Sequence, residues 1–209
     1  MAEGGTASTP ERLRFYFDPA CPWTWVTSRW LLEVARQRPL HIEWRWLSLV
    51  VLNEGGEIPE RYQVGRLVHR VMEALRSAGR HDDVGELYRE YGRRVHVDGR
   101  RPSAEIVRQA ALAAGLGDYV GAVDDPSWDE AVRKSHEEAQ DIAGPDAGSP
   151  VVFREAVGRG TFGPILSPSP VSADAVRLWD AYVTLGDLPQ FYELKRPRAD
   201  EPEVSPTLV

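Results

Sequence analysis

The chain has only one cysteine, Cys21, among its 209 residues. Without a second cysteine, the protein has no internal partner for a disulfide, and a dithiol redox cycle within the chain is excluded. No stretch approaches the roughly 18 consecutive apolar residues of a membrane span. Lysine is scarce as well, with only Lys134 and Lys195, and the formal net charge of −7 disfavours nucleic acid as the main partner.

The chain is long enough for one domain with a sizeable core, or for one domain that carries an insertion. Apolar residues make up 42% of the sequence and include seven tryptophans, which argues for a packed globule. Residues 1–10 are predicted to form a disordered arm, and they lack the basic start and apolar core of a signal peptide. Together with the lone cysteine, this predicts a cytoplasmic protein in a reducing compartment.

Cys21 lies in the run FDPACPWT, residues 17–24, between a predicted strand and a predicted amphipathic helix. Pro22 suits the first turn of that helix, where a missing N–H costs nothing. Unpaired backbone N–H groups and the helix dipole favour a thiolate at this position, so we expect the pKa of Cys21 below about 8.5. A lone cysteine is often a small buried hydrophobe, but this context favours a reactive thiol.

The pattern along the chain predicts the fold. Two apolar runs, 13–17 and 42–46, indicate strands on either side of the Cys21 helix. Residues 59–143 have helical periodicity throughout, a β pattern returns at 151–153, and a turn at 158–160 leads into a hairpin through 165–166. A helix follows Ser172. This order predicts an α/β, thioredoxin-like fold with an inserted α-helical domain: residues 11–58 and 145–194 form the thioredoxin-like domain, 59–144 the insertion and 195–209 a tail.

Several runs carry a family resemblance. The Cys-Pro-Trp run after a strand, the helical insertion and the run GSP at 148–150 before a strand together resemble the DsbA-like branch of the thioredoxin superfamily. The similarity is greatest to the FrnE-like group and to mycothiol-dependent nitroreductases. The supporting runs are FDPxCPW at 17–23, TSRW at 27–30, LNE at 52–54, RKSH at 133–136, FGP at 162–164 and FYELKR at 191–196.

The resemblance implies a site around Cys21 and a small-thiol cofactor such as mycothiol. Pro150 matches the family's cis-proline facing the active cysteine, with Ser149 ahead of it. Thr24 stands where the close relatives have their second cysteine, which places dithiol turnover in doubt. Kappa-class glutathione transferases and hydroxychromene-carboxylate isomerases, on the same fold, also lack the cysteine pair and use a bound thiol.

Further residues near Cys21 are candidates with two interpretations each. Thr24 lies one helical turn from Cys21, so its hydroxyl either donates to the thiolate or caps the first turn. Pro22 and Trp23 are expected to face a substrate or thiol, although tryptophan is commonly a core residue. Asn53 and Tyr62 are candidates for substrate or thiol contacts. The alternatives are that Asn53 is a turn residue, which is common for asparagine after a strand, and that Tyr62 lies on a helix surface.

The histidines indicate no metal site. His96 and His136 are scattered, and neither has a second histidine at metal-ligand spacing. Isolated histidines of this kind are usually structural or solvated.

Three functional classes follow. The leading hypothesis is a cytoplasmic thiol-dependent oxidoreductase in which Cys21 acts alone, Thr24 assists it, and a small thiol completes the reaction. The second is a thiol-dependent isomerase or transferase acting on an unsaturated or electrophilic small molecule. The third is a binding protein without turnover. The expected partners are a small-molecule substrate and a small thiol, with no nucleic acid and no membrane, and a homodimer is left open.

Overall fold

A computed structural model describes residues 10–205. The expected arm lies outside them except for Pro10, as do residues 206–209 of the expected tail. The strands are β1 (Glu11–Phe17), β2 (Leu40–Trp46), β3 (Val151–Arg154) and β4 (Arg159–Phe162). The α-helices are α1 (Pro22–Ala35), α2 (Leu49–Leu52), α3 (Glu60–Ser77), α4 (His81–Gly92), α5 (Ala104–Ala113), α6 (Asp129–Ala143) and α7 (Ser172–Gly186).

The sheet has the strand order β2-β1-β3-β4. β1 is central and pairs in parallel with β2, with Phe15 opposite Trp44, and antiparallel with β3, with Phe15 opposite Val152. Because β1 is covered on both faces, its second half is fully buried, which explains why it reads as an apolar run rather than an alternating one. β3 and β4 form the expected hairpin, but its second strand ends at Phe162, so residues 165–166 are not part of it.

Helix α1 begins directly after Cys21, at the C-terminal end of the central strand β1. Pro22 occupies its first turn as expected, and Cys21 is the N-cap residue with extended backbone angles. One face of α1 is anchored by Trp30, whose indole N–H donates to the carbonyl of Ala175 in α7 at 3.0 Å. This contact fixes the direction of α1 and therefore the position of Cys21.

The helices between β2 and β3 share one core with the sheet. The ring of Tyr88 in α4 lies 4.4 Å from that of Phe17 at the end of β1 and 5.3 Å from that of Trp25 in α1. Helix α4 comes so close that a Cβ on Gly92 would lie 2.1 Å from the Trp25 ring. The helical character expected for 59–143 is present, and the domain boundaries given above stay a prediction.

The C-terminal segment, residues 187–205 after α7, has no regular secondary structure. It nevertheless folds back onto the protein, because the Glu203 N–H donates to the Ser167 hydroxyl at 2.7 Å and Val204 packs against the main core. Within residues 10–205, no helix is long and apolar enough to cross a membrane.

Candidate active site

Cys21 sits in a short loop between β1 and α1 and is half-buried. The loop is closed by the Cys21 N–H, which donates to the Asp18 carbonyl at 3.0 Å. Its sulfur lies 3.8 Å from the carbonyl oxygen of Ser149, on the loop before β3. The structure thus brings the two ends of the predicted site together from positions 128 residues apart.

The expected low thiol pKa is wrong. Burial raises the pKa of Cys21 above its ordinary value, and the negative charge of Asp18 raises it further. The Thr24 hydroxyl and the backbone N–H groups of Thr24 and Trp23 act in the opposite direction, as expected for a helix N-terminus. Burial is the largest of these effects, and it depends on tertiary neighbours that the local sequence does not contain.

The hydroxyl of Ser149 is the hub of a buried polar network. It accepts the Asp18 backbone N–H at 2.8 Å and lies 2.7 Å from the hydroxyl of Thr24. The Ser149–Pro150 peptide bond is cis, which confirms that prediction. Thr24 therefore follows neither of its two interpretations alone, since its hydroxyl binds Ser149 and also lowers the pKa of Cys21.

Asp18 is a completely buried carboxylate to which the sequence assigned no role. One oxygen accepts the N–H of Ala20 at 2.8 Å, and the other accepts the N–H of Leu49, at the start of α2, at 2.7 Å. No ion pair of Asp18 exists within residues 10–205, so burial raises its pKa to about 7 against the effect of both N–H groups. Asp18 therefore ties the Cys21 loop to α2 and titrates near neutral pH.

Two histidines hold the same loop from the helical side. The Nε2 atom of His69 lies 3.1 Å from the carbonyl oxygen of Phe17, and that of His96 lies 2.9 Å from the carbonyl oxygen of Pro19. Burial lowers the pKa of each to about 4, so both are neutral at physiological pH and donate to these carbonyls. His96 is thus a positioning residue for the loop. The residues next to it in the sequence gave no indication of this role.

The remaining predicted contacts divide into two groups. Trp23 is half-buried beside Cys21, and Tyr62 packs against the same small apolar cluster as Cys21. Asn53 instead donates its side-chain amide to the carbonyl of Leu49 at 2.7 Å and forms the C-cap of α2. Its side chain therefore has the turn role that was its alternative interpretation.

Two arginines beside the site were not predicted. The guanidinium carbon of Arg61 lies 5.0 Å from the centre of the Tyr62 ring, and that of Arg198 lies 5.0 Å from the centre of the Trp23 ring. Arg61 comes from the first turn of α3, and Arg198 comes from the C-terminal segment. Only the fold brings these cations to the aromatic residues next to the thiol.

Two cavities lie away from Cys21 in the described chain, and the second, of about 190 Å³, is lined by Arg45, Arg76 and Glu138 among others. The first, of about 160 Å³ between α2, α3 and α6, contains Glu54, Arg66 and Arg133, and no predicted site residue lines it. Across residues 10–205, no group of three or more histidine, cysteine, aspartate or glutamate side chains is arranged to hold a metal ion.

Comparison with known proteins identifies the family of the chain. Residues 20–196 match the family model described as Rv2466c-like, mycothiol-dependent nitroreductase Rv2466c. The chain belongs to this family. It is also 31% identical over 199 residues to a Mycobacterium tuberculosis (strain ATCC 25618 / H37Rv) protein named as uncharacterized, Rv2286c, covering 88% of this chain and 81% of that one.

Solved structures establish the fold as DsbA-like and thioredoxin-like, as expected. The probable DsbA oxidoreductase SCO1869 from Streptomyces coelicolor has a TM-score of 0.56 at 20% identity, over 93% of this chain and 99% of that one. The cytosolic disulfide reductase DsbM from Pseudomonas aeruginosa has a TM-score of 0.55 at 17% identity, over 83% and 99%. The protein is thus a member of the Rv2466c-like, mycothiol-dependent nitroreductase family, and its fold is DsbA-like.

Proposed function

We propose that the protein is a cytoplasmic thiol-dependent oxidoreductase that works through Cys21 alone and a small thiol, mycothiol or a close analogue. One observation carries the proposal. The position of a second cysteine is taken by Thr24, a buried residue whose hydroxyl binds Ser149, so the only sulfur at the site is the half-buried one of Cys21. A reaction there needs its second thiol from solution.

The site's own residues support the first half of such a reaction. The Cys21 thiol gives its proton to water, and its sulfur attacks one sulfur of a disulfide substrate. The new S–S bond forms as the old one breaks, and the departing sulfur leaves as a thiolate. The N–H groups of Trp23 and Thr24 and the Thr24 hydroxyl stabilise the attacking thiolate. The Ser149 carbonyl, 3.8 Å away, orients the sulfur before deprotonation.

The residues present fit a small thiol partner. The sulfur is half-buried at the start of α1, and Trp23 beside it is also half-buried, so both retain exposed surface for a ligand. Mycothiol, when bound, supplies the second thiol that frees Cys21. The exposed parts of Trp23 and Tyr62 are the surfaces we assign to it and to the small-molecule substrate, together with Pro22 and with the buried Pro150 next to Ser149.

The cytoplasmic assignment rests on the chemistry. A single unpaired thiol that reacts with small thiols needs a reducing compartment. The fold neighbour from Pseudomonas aeruginosa is named a cytosolic disulfide reductase, which agrees with this location.

A second candidate function is a thiol-dependent isomerase or transferase. The raised pKa of Cys21 and the buried Thr24–Ser149 hydroxyl pair favour it, because they suit a site where a bound thiol, and not Cys21, is the nucleophile. In that case the substrate is an unsaturated or electrophilic small molecule.

The decisive experiment compares the natural protein with Cys21→Ser and Cys21→Ala. We expect intact mass spectrometry after incubation with oxidised mycothiol to show one adduct on the natural protein and none on the variants. Mycothiol-dependent turnover should saturate and should fall sharply in both variants. Full turnover without Cys21 would replace the oxidoreductase with the isomerase or transferase, and adduct-free protein without turnover would leave a binding role.

A further inference from the structure

Two positively charged side chains stand at the mouth of the Cys21 site, each against an aromatic residue of that site. Arg61 lies over the ring of Tyr62 and Arg198 over the ring of Trp23, both at 5.0 Å from the ring centre. Both arginines are exposed. One N–H group of Arg61 donates to the Tyr62 hydroxyl at 3.4 Å. A guanidinium has five N–H donors, so each arginine retains donors for a ligand.

Neither arginine is neutralised by an ion pair among residues 10–205. This sets them apart from arginines such as Arg70, which binds both oxygens of Asp129 at 2.6 Å, and Arg154, which pairs with Glu11 and Asp187 at 2.6 Å. Other arginines of the described chain, such as Arg100 and Arg159, also lack an ion pair. Arg61 and Arg198 differ from them because each lies against an aromatic residue of the Cys21 site.

Arg61 interacts electrostatically with both the thiol and the C-terminal segment. The hydrogen bond from Arg61 to the Tyr62 hydroxyl, at 3.4 Å, is the main cause that raises the pKa of Arg61, and the charges of Glu201 and Cys21 raise it further. The guanidinium is therefore within electrostatic range of the C-terminal segment and of the thiol. Glu201 is the acidic group that faces it from that segment, and Asp18 is buried below the loop with its oxygens on backbone N–H groups.

We propose that Arg61 and Arg198 form an anion-binding subsite that takes a carboxylate of the disulfide or electrophile attacked by Cys21. The planar N–H fork of arginine can donate two parallel hydrogen bonds to the two oxygens of a carboxylate. The attack by Cys21 rests on the proposed function, but the subsite itself does not require turnover. It also assigns a role to the C-terminal segment, which supplies Arg198 and is held in place by Glu203 and Val204.

The test uses two aromatic disulfides that differ in charge, the dicarboxylate dithiobis(nitrobenzoate) and the neutral dithiodipyridine. Each forms a mixed disulfide with Cys21 and releases one coloured thiol product, so the lone cysteine yields a single rate constant. The variants are Arg61→Gln, Arg198→Gln and the double variant. Arg177→Gln is the matched control, because it removes an exposed charge from α7, outside the described site.

We expect the double variant to react with the dicarboxylate about tenfold more slowly, since electrostatic attraction by two nearby cations raises association rates by this order. Its rate with dithiodipyridine should change by less than about twofold, and Arg177→Gln should match the natural protein with both probes. Added salt should slow the dicarboxylate reaction of the natural protein but not that of the double variant. An equal loss with both probes, or no loss with either, overturns the subsite.

A second measurement is independent of the thiol. The arginine Nε–H signals in NMR spectra are followed while unreactive nitrobenzoate is added to the natural protein. We expect saturable shifts for Arg61 and Arg198 and none for Arg177. Absent shifts refute the subsite even if Cys21 reacts, whereas clear shifts with an unreactive Cys21 refute the proposed oxidoreductase and leave the subsite standing.

Discussion

The hydroxyl of Thr24 lies 2.7 Å from the hydroxyl of Ser149, one helical turn beyond Cys21. The same Ser149 hydroxyl accepts the Asp18 N–H, and the Ser149 carbonyl faces the Cys21 sulfur. A buried pair of hydroxyls therefore occupies the place where a second sulfur would make a dithiol site.

The first prediction concerns Thr24→Cys. A cysteine there stands at the spacing at which Cys-x-x-Cys motifs close a disulfide, so we expect an internal disulfide under mild oxidation. Thiol titration should then show no free thiol in the oxidised variant, and insulin reduction should exceed that of the natural protein. Thr27→Cys, on the same helix but further from Cys21, is the control and should keep both thiols; two free thiols in Thr24→Cys would contradict the prediction.

The second prediction concerns Thr24→Val, which keeps the shape and removes the hydroxyl. Ser149 then loses a buried hydrogen-bond partner, and we expect a loss of about 1–3 kcal/mol in the free energy of unfolding. The pKa of Cys21 should rise further, because the Thr24 hydroxyl lowers it in the natural protein. Urea unfolding and the pH dependence of alkylation measure the two effects. An unchanged alkylation profile would show that Thr24 does not act on the thiol.

The fold could be predicted from the sequence because its signals are local. The apolar run before Cys21, Pro22 in the first turn and the helical periodicity of 59–143 each reflect backbone and burial patterns within a few residues. The Cys21, Ser149 and Pro150 positions followed from motifs. Asp18 belongs to the run at residues 17–24, but nothing in that run indicates that its carboxylate is fully buried and accepts an N–H from α2.

The residues that the sequence did not reveal all depend on long-range packing. Arg198 reaches Trp23 only because the C-terminal segment folds back, and His96 reaches the Pro19 carbonyl from beyond α4. The prediction of a low pKa for the Cys21 thiol was wrong for the same reason. The helix N-terminus was visible in the sequence, whereas the burial that outweighs it is a property of the assembled loop, α2 and β3.

The third prediction concerns Gly65→Ala. Gly65 on α3 faces the Cys21 loop, and a Cβ there would lie 2.7 Å from an Asp18 carboxylate oxygen and 3.0 Å from the Ala20 Cβ. The loop must shift, so we expect a loss of about 1–3 kcal/mol in stability and a slower reaction of Cys21 with dithiodipyridine. Gly121→Ala is the control, since no atom lies within 4 Å of its added Cβ. Equal behaviour of the two variants would contradict the contact.

The fourth prediction concerns Asp18→Asn. Removing the charge should lower the pKa of Cys21, because ionised Asp18 raises it, so iodoacetamide should react faster near neutral pH. Asn can accept only one of the two backbone N–H groups, which should cost about 1–3 kcal/mol in stability. Asp174→Asn, exposed on α7, is the control for charge. A slower reaction in a variant that is still folded would show that Asp18 helps the thiol ionise.

The last prediction concerns stability between about pH 6.5 and 4, where Asp18 and the two loop histidines act in opposite directions. The folded pKa of His96 is depressed to about 4, so its contribution is present above the unfolded value near 6.5 and is lost as the pH falls, since only the unfolded chain then binds the proton. The folded pKa of Asp18 is raised to about 7, so the folded chain binds a proton first, and acid stabilises it. Asp18 should therefore mask part of the histidine effect.

We expect Asp18→Asn to lose stability more steeply than the natural protein on acidification over this range, in urea unfolding measured at a series of pH values. His96→Gln, which keeps an N–H donor for the Pro19 carbonyl, should lose less stability than the natural protein, by about 1–3 kcal/mol at the acidic end. His81→Gln, an exposed histidine at the start of α4, is the control and should follow the natural protein. If the slope is unchanged in His96→Gln, the fold does not hold the His96 imidazole neutral over this pH range.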